Sequence, residues 1–387
     1  MRKNVLFVID SLNCGGAEKS LVSLLPLLNS EKYDIHLWML HRGGVFESLV
    51  PENVAIEPEP PYTPSDRLKF RFALMLYSLV YRIKRMKSIK EHGAETLWKC
   101  AGWAYQVPSQ QFDVAIAYQQ GLPTYLVAES IKAKKKMAWV NVNIFNAGYH
   151  ADFNARFYEK LDRIVPVSQD LENILRENYP QFNHKYVCVY DILNPQIIRH
   201  NAEDNLKELG LFDKHPIIVT VGRLVPQKNY LLAVETAKVL KEKGMDFSWF
   251  FVGDGGERQK IEHQIHQHGL NDNVFLLGMQ TNPYPFMAHC DIYVQTSSFE
   301  GFGLTIAEAK ILGKPVVSTN FDVVHDQITH EQNGLIAEMT AEALANNILR
   351  ILKEDSLRIR IVDNVRKEHN TTYLTEVKKV EQLLDAD

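Results

Sequence analysis

Ser297-Ser298-Phe299-Glu300-Gly301-Phe302-Gly303-Leu304-Thr305-Ile306-Ala307-Glu308-Ala309 follows the apolar run Ile292-Tyr293-Val294 and precedes Gly313-Lys314-Pro315. The run reads as a short buried strand, 305–312 as a helix, and Gly313-Lys314-Pro315 as its stop. Between strand and helix lies a loop with two glycines. Gly301 and Gly303 lack a Cβ and let backbone amides approach a ligand closely. The helix N-terminus beyond them offers unpaired N–H groups and the positive end of the helix dipole, a setting suited to phosphate. Glu300 falls on the loop, and Glu308 is expected in the first helical turn, so both carboxylates could face one crevice. Carboxylates accept hydrogen bonds from sugar hydroxyls. The pattern fits a ligand made of phosphate and sugar.

The chain has 387 residues, room for two domains of ordinary size and a large core. Its apolar and charged fractions are those of a globular protein. A net charge of −4 gives no sign of a nucleic-acid binder. The charge is uneven. Residues 1–194 carry 23 Lys+Arg against 20 Asp+Glu, so the basic half is the one suited to an anionic partner. Cys14, Cys100, Cys188 and Cys290 are far apart and form no Cys-x-x-Cys, which argues against zinc and redox motifs and fits a reducing cytoplasm. The apolar run at the start ends at Asp10, too short for a signal peptide, and no run of about 20 apolar residues could span a bilayer.

A strand is expected at 5–9, then Asn13-Cys14-Gly15-Gly16-Ala17-Glu18 turning into a helix near 19–28, then a strand at 35–40. Strand, glycine turn, helix, strand opens a doubly wound α/β domain, whose ligands bind beyond the carboxyl ends of the strands. Further strands are expected at 112–118, 136–142, 162–168 and 186–190. Ser168 is placed to cap a helix starting near Gln169. The polar segment 196–215 marks the domain boundary. The pattern then restarts with strands at 217–221, 249–252, 274–277 and 315–318, and helices at 230–243 and 340–353. Gly253-Asp254-Gly255-Gly256 has the wrong spacing for a dinucleotide fingerprint and reads as a turn lining the crevice. Asp385-Ala386-Asp387 reads as a solvated tail.

Residues 67–90 stand apart. Eight basic residues (Arg67, Lys69, Arg71, Arg82, Lys84, Arg85, Lys87, Lys90) and no acidic one flank Phe70, Phe72, Leu74, Met75, Leu76, Tyr77, Leu79, Val80 and Tyr81. Two readings are open. One is an amphipathic helix on an anionic membrane surface. The other is a domain helix with a core side and solvated charges.

Phe-Glu-Gly-Phe-Gly-Leu-Thr-Ile-Ala-Glu-Ala, with Glu300 and Glu308 separated by seven residues, resembles the paired-glutamate motif of retaining glycosyltransferases of the GT-B fold, in particular glycosyltransferase family 4. Gly222-Arg223-Leu224-Val225-Pro226-Gln227-Lys228-Asn229 is similar to that family's diphosphate-binding loop, and Gly15-Gly16-Ala17-Glu18 to its first glycine loop. The resemblance implies an α/β protein of two Rossmann-like doubly wound domains facing each other across a cleft. Residues 1–195 would take the acceptor and 196–370 the nucleotide sugar, with a final helix at about 371–387 crossing back onto the first domain. It implies a hexosyltransferase-type enzyme that moves a sugar from a nucleotide-diphosphate sugar to an acceptor hydroxyl, with no metal and no cofactor. Arg223 and Lys228 would hold the diphosphate, Glu300 the sugar hydroxyls and Glu308 the ribose. Gly303, Leu304 and Thr305 would offer amides to sugar and phosphate, and Gly16, Gly253 and Met279 would complete the donor site. Gly15, Asn141 and Asn143 are weaker candidates for sugar or acceptor contact. Relatives often carry histidine where Asn141 stands and glutamate near Asp326, so a general base at 141 is not expected. The partners implied are a nucleotide sugar and a carbohydrate or lipid-linked acceptor, with 67–90 on the inner face of the cell membrane. Two other functions fit the same fold: a sugar-nucleotide epimerase or phosphorylase, and a non-catalytic binding protein.

Overall fold

The apolar runs form two parallel sheets in the computed structural model, which describes residues 2–13, 15–60, 63–87, 91–203, 216–368 and 372–386. The first unit comprises Met1–Ile192 and Tyr373–Asp387, the second Leu193–Thr372.

In the first unit the strands are β1 (Lys3–Ile9), β2 (Tyr33–Met39), β3 (Ala55–Ile56), β4 (Phe112–Ala117), β5 (Ala133–Val140) and β6 (Arg163–Pro166), in the order β3-β2-β1-β4-β5-β6. Its helices are α1 (Gly16–Leu24), α2 (Pro64–Met86), α3 (Gly93–Ala101), α4 (Leu122–Glu129), α5 (Ala151–Tyr158) and α6 (Gln169–Asn178). In the second unit α7 (Pro195–Asn201) precedes β7 (Ile217–Val221), α8 (Tyr230–Glu242), β8 (Ser248–Val252), α9 (Arg258–Gln267) and β9 (Val274–Gly278). There follow α10 (Tyr284–His289), β10 (Ile292–Gln295), α11 (Leu304–Ile311), β11 (Val316–Thr319), β12 (Leu335–Ala337), α12 (Ala341–Lys353) and α13 (Asp355–Lys367). The order is β12-β11-β10-β7-β8-β9. The last helix, α14 (Thr372–Asp385), is counted with the first unit.

Each sheet thus runs outward in both directions from its first strand, the doubly wound pattern. Parallel strands covered on both faces read as near-continuous apolar runs, and β7 and β8 are buried at every position. Successive side chains alternate between faces. Trp249 and Phe251 of β8 join one core with α8 and α12, while Phe250 and Val252 join another with α10 and α11.

Several expected elements differ. α1 ends at Leu24 because Pro26 cannot donate an i→i−4 bond, and the chain closes in a 3₁₀ turn at Leu25–Leu27. The strand expected at 186–190 is an extended segment beside β6. Val187 and Val189 donate to Ile164 and Pro166, but only Tyr186 forms a bridge, with Ile164. The amide of Tyr190 instead donates to Glu376 Oε2 of α14 at 2.9 Å. α7 occupies the start of the polar segment assigned to the boundary, capped by Asn194 Oδ1, and 204–215 lies outside the described residues. Asp385 is no free tail. Its Oδ1 accepts from Tyr33 Oη at 2.9 Å, and Lys3 Nζ reaches Leu384 O at 2.9 Å. Cys14 and Asp387 lie outside the described residues.

Candidate active site

Loops 222–229 and 296–303 leave the carboxyl ends of β7 and β10, neighbouring strands on either side of the point where the strand order reverses. Open α/β sheets bind ligands at that point. The two loops are fastened together. Ser298 N donates to Gln227 O (2.8 Å), Gln227 Nε2 to Phe299 O (2.9 Å) and Thr296 Oγ1 to Lys228 O (2.8 Å). A third loop is tied in by Thr319, whose hydroxyl donates to Ser297 O at 2.7 Å.

This stitching brings Lys228 onto Glu300. Lys228 ends a 3₁₀ turn, Pro226–Lys228, and Asn229 then takes the left-handed conformation (φ 50°, ψ 48°) that asparagine tolerates. Lys228 Nζ lies 2.5 Å from Glu300 Oε1, with the side chains 17% and 9% exposed. The same oxygen accepts from Ser297 Oγ (2.5 Å) and Gln295 Nε2 (3.0 Å). Arg223 is exposed, and its guanidinium has no hydrogen bond or ion pair among the described residues. The geometry therefore departs from two cations facing two acids. One cation is already bonded to one acid, and the other is exposed on the same loop.

Gly303 caps α11 with φ 85° and ψ 47°, a conformation costly for any residue with a Cβ. Leu304 and Thr305 occupy the first turn, with their amides at the helix start. Thr305 Oγ1 donates to Gln295 Oε1 at 3.1 Å. Because α11 starts at Leu304, Glu308 falls in the second turn rather than the first. It is fully buried, accepting from Tyr284 Oη at 3.0 Å. Gly253 (φ 144°) donates to Gly278 O at 2.8 Å, and a Cβ there would meet Gly222 O at 1.9 Å, so it keeps two backbones in contact. Met279, beyond the end of β9, is exposed. The structure thus gathers Arg223, Lys228, Glu300, Gly303, Leu304 and Thr305, sets Gly253 under the first loop and places Glu308 in the core behind.

Not foreseen from sequence are Gln295, Ser297 and Gln227, which bond Glu300, Tyr284, which bonds Glu308, and Tyr293, which bonds Gln295. The available signal was Gln295-Thr296-Ser297-Ser298, a polar string at the end of a buried strand. A polar side chain there must find partners inside the fold.

The remaining candidates are in the first unit. Gly15 is the N-cap of α1, and Gly16 is its exposed first residue. Asn141 follows β5. Its backbone N donates to Gln120 Oε1 at 3.0 Å, while its side-chain Oδ1 and Nδ2 are shut from solvent with no hydrogen-bond partner among the described residues. Asn143 Oδ1 accepts from Phe145 N (3.1 Å) and Asn146 N (3.2 Å), shaping the loop to α5. At the end of the unit, burial and the charge of Glu18 push the Asp191 carboxyl up to about 7, against a Ser20 hydrogen bond that lowers it.

α2 has two apolar sides. One packs toward α3, where Ala73 is fully buried and Phe70 meets Tyr105 edge-on at 5.0 Å. The other, Leu68, Phe72, Met75, Leu79, Ile83 and Met86, recurs at helical spacing and is exposed. Arg67, Arg71, Arg82 and Arg85 are exposed too. Residues 88–90 lie outside the described residues. Among those described, no helix is long and apolar enough to cross a membrane.

Residues 201–368 match the family model described as glycosyl transferases group 1. Over 360 residues, 92% of each chain, the protein is 27% identical to the N-acetylgalactosamine-N,N'-diacetylbacillosaminyl-diphospho-undecaprenol 4-alpha-N-acetylgalactosaminyltransferase of Campylobacter jejuni. It is 31% identical over 181 residues to the poly(ribitol-phosphate) alpha-N-acetylglucosaminyltransferase of Staphylococcus aureus, a match covering 46% of this chain and 35% of that one. Among solved structures, HepE of Anabaena in complex with UDP-glucose aligns with a TM-score of 0.76 over 99% of both chains at 18% identity, a likeness of fold. That fold is GT-B.

Proposed function

We propose that this glycosyltransferase, whose residues 201–368 match the glycosyl transferases group 1 model, transfers a sugar from a nucleotide-diphosphate sugar to an acceptor hydroxyl with retention at the anomeric carbon. The observation that carries this reading is the Lys228–Glu300 pair fastened beside the N-terminus of α11, with the exposed Arg223, whose guanidinium has no partner among the described residues, on the same loop as Lys228. A cation, an unengaged guanidinium and a helix N-terminus form a seat for two phosphates. The carboxylate next to them suits sugar hydroxyls.

In the proposed reaction the acceptor oxygen attacks the anomeric carbon from the face the diphosphate leaves. The bond from that carbon to the phosphate oxygen breaks, and the departing oxygen takes the acceptor's proton. Negative charge grows on the diphosphate, where Arg223, Lys228 and the amides of Leu304 and Thr305 stabilise it. Such a route calls for positioning rather than a strong base, and no metal is needed in it. Glu300 orients the sugar. Glu308, buried on Tyr284, would reach the ribose only through a rearrangement of that bond, so we assign it to shaping the site.

The acceptor we propose is a lipid-linked or polysaccharide precursor of the cell surface, as the names of the Campylobacter and Staphylococcus relatives suggest for those proteins. The exposed apolar stripe of α2 between arginines then serves as a peripheral contact with the anionic inner face of the membrane. The test is product analysis. NMR of the glycoside formed from an α-linked donor should show an α-linkage, with nucleotide release dependent on acceptor. A β-linkage would overturn retention.

A further inference from the structure

We infer that Gln295 is a positioning residue that sets the spacing between the sugar-binding and phosphate-binding halves of the donor site, an inference that rests on the donor reading above. Gln295 is the last residue of β10 and is 1% exposed. Its Nε2 donates to Ser297 Oγ (2.6 Å) and Glu300 Oε1 (3.0 Å). Its Oε1 accepts from Tyr293 Oη (2.7 Å) and Thr305 Oγ1 (3.1 Å). All four positions of the amide are used. Its orientation follows from chemistry, because an ionised carboxylate only accepts. The nitrogen must face Glu300, leaving the oxygen for the two hydroxyls.

One end of this amide therefore grips the carboxylate assigned to the sugar. The other grips Thr305, in the first turn of the helix whose N-terminus is assigned to the phosphates. Tyr293 anchors the amide from behind, its hydroxyl also 3.4 Å from Val221 O at the end of β7. No other residue type gives this arrangement. Glutamate would set acceptor against acceptor at Glu300, and leucine or methionine would fill the space with no bonds. Fully satisfied buried polar networks fix one geometry, and catalysis by positioning is sensitive to small displacements.

The experiment compares Gln295→Met, which keeps the shape and loses the bonds, with the parent. Paired probes are UDP with UDP-N-acetylgalactosamine, GDP with GDP-mannose, and ADP with ADP-glucose. For the pair the parent binds, the variant should hold the nucleoside diphosphate within about threefold of the parent and lose at least about tenfold in nucleotide-sugar affinity. Its kcat should fall by about 30–100-fold, the cost of a misplaced reacting group. Should that variant not fold, Thr305→Val removes a single bond at the far end. It is expected to lower kcat about fivefold with nucleoside diphosphate affinity retained. Turnover within threefold of the parent in the folded variant overturns the inference. So does a parallel loss of both affinities, which marks a merely structural role. A parent that binds none of the nucleoside diphosphates overturns the donor site itself, and this inference with it.

Discussion

Lys228 and Arg223 carry the same charge in unlike settings, and their replacement should separate accordingly. Lys228 neutralises a largely buried carboxylate. Lys228→Ala strands Glu300 and should cost about 3 kcal/mol of stability, as expected for breaking a buried ion pair from one side. Arg223 is exposed and its guanidinium makes no bond among the described residues, so Arg223→Ala should leave the melting temperature unchanged. Both should lower kcat/KM by about 10²-fold, the usual cost of removing one group that meets developing charge. Thermal melts beside steady-state assays check this, and activity within twofold of the parent in either variant contradicts the assigned role. Asp191 carries a pH prediction. Burial, with Glu18 nearby, lifts its carboxyl from 3.8 to about 7 although Ser20 bonds to it, and its Oδ1 is sealed without a partner among the described residues. The folded chain therefore keeps a proton that the unfolded chain has released. This contribution is complete below about pH 3.8 and is lost as pH rises to about 7. Asp191→Asn should flatten the fall in melting temperature between pH 4 and 7, and an unchanged slope would contradict the assignment. Arg223, Lys228 and Glu300 were singled out in the sequence because each sits in a motif with a chemical reason. Gln295 was not, since a lone glutamine after an apolar run looks the same whether it faces solvent or a carboxylate.

At the scale of elements, the loops after β7 and β10 show why the motifs needed each other. Neither loop alone makes a site, and the bonds from Gln227, Thr296 and Thr319 fix them as one surface. Sequence periodicity placed the strands that lead into them because buried parallel strands are apolar throughout. It gave less at 186–190, where β-branched and aromatic residues run extended but bond to a neighbour on one side only. It also left two readings of 67–90, and α2 has both a side packed toward α3 and an exposed apolar side. Ala73 and Phe70 face α3, while Leu68, Phe72, Met75, Leu79, Ile83 and Met86 are exposed. The second side belongs to the proposed membrane contact. Met75→Ser with Leu79→Ser should weaken sedimentation with vesicles containing anionic lipid. Arg82→Glu with Arg85→Glu should weaken it further and remove its salt dependence. Unaltered sedimentation in both pairs would leave α2 as an ordinary surface helix.

Across the whole molecule, two sheets share one winding order, and each presents glycine-bearing turns at the carboxyl ends of its strands. The repeat of strand, loop and helix was visible in sequence because it recurs twice with the same punctuation. The two-residue β3, α3 and the bonds of Asp385 to the first unit were not, because they depend on neighbours distant in the chain. The central claim is that the second unit grips a sugar through two phosphates with Arg223, Lys228 and the start of α11, and holds the sugar with Glu300. Calorimetric titration of UDP-, GDP- and ADP-sugars into the parent, Arg223→Ala and Glu300→Gln tests it most directly. The account predicts that one nucleotide class binds the parent and that its intact sugar nucleotide binds at least about tenfold more weakly to each variant, a loss of about 1.4 kcal/mol or more. It also predicts that the bare nucleoside diphosphate is weakened only in Arg223→Ala. Equal affinities across all three proteins, or no binding of any class to the parent, would contradict it.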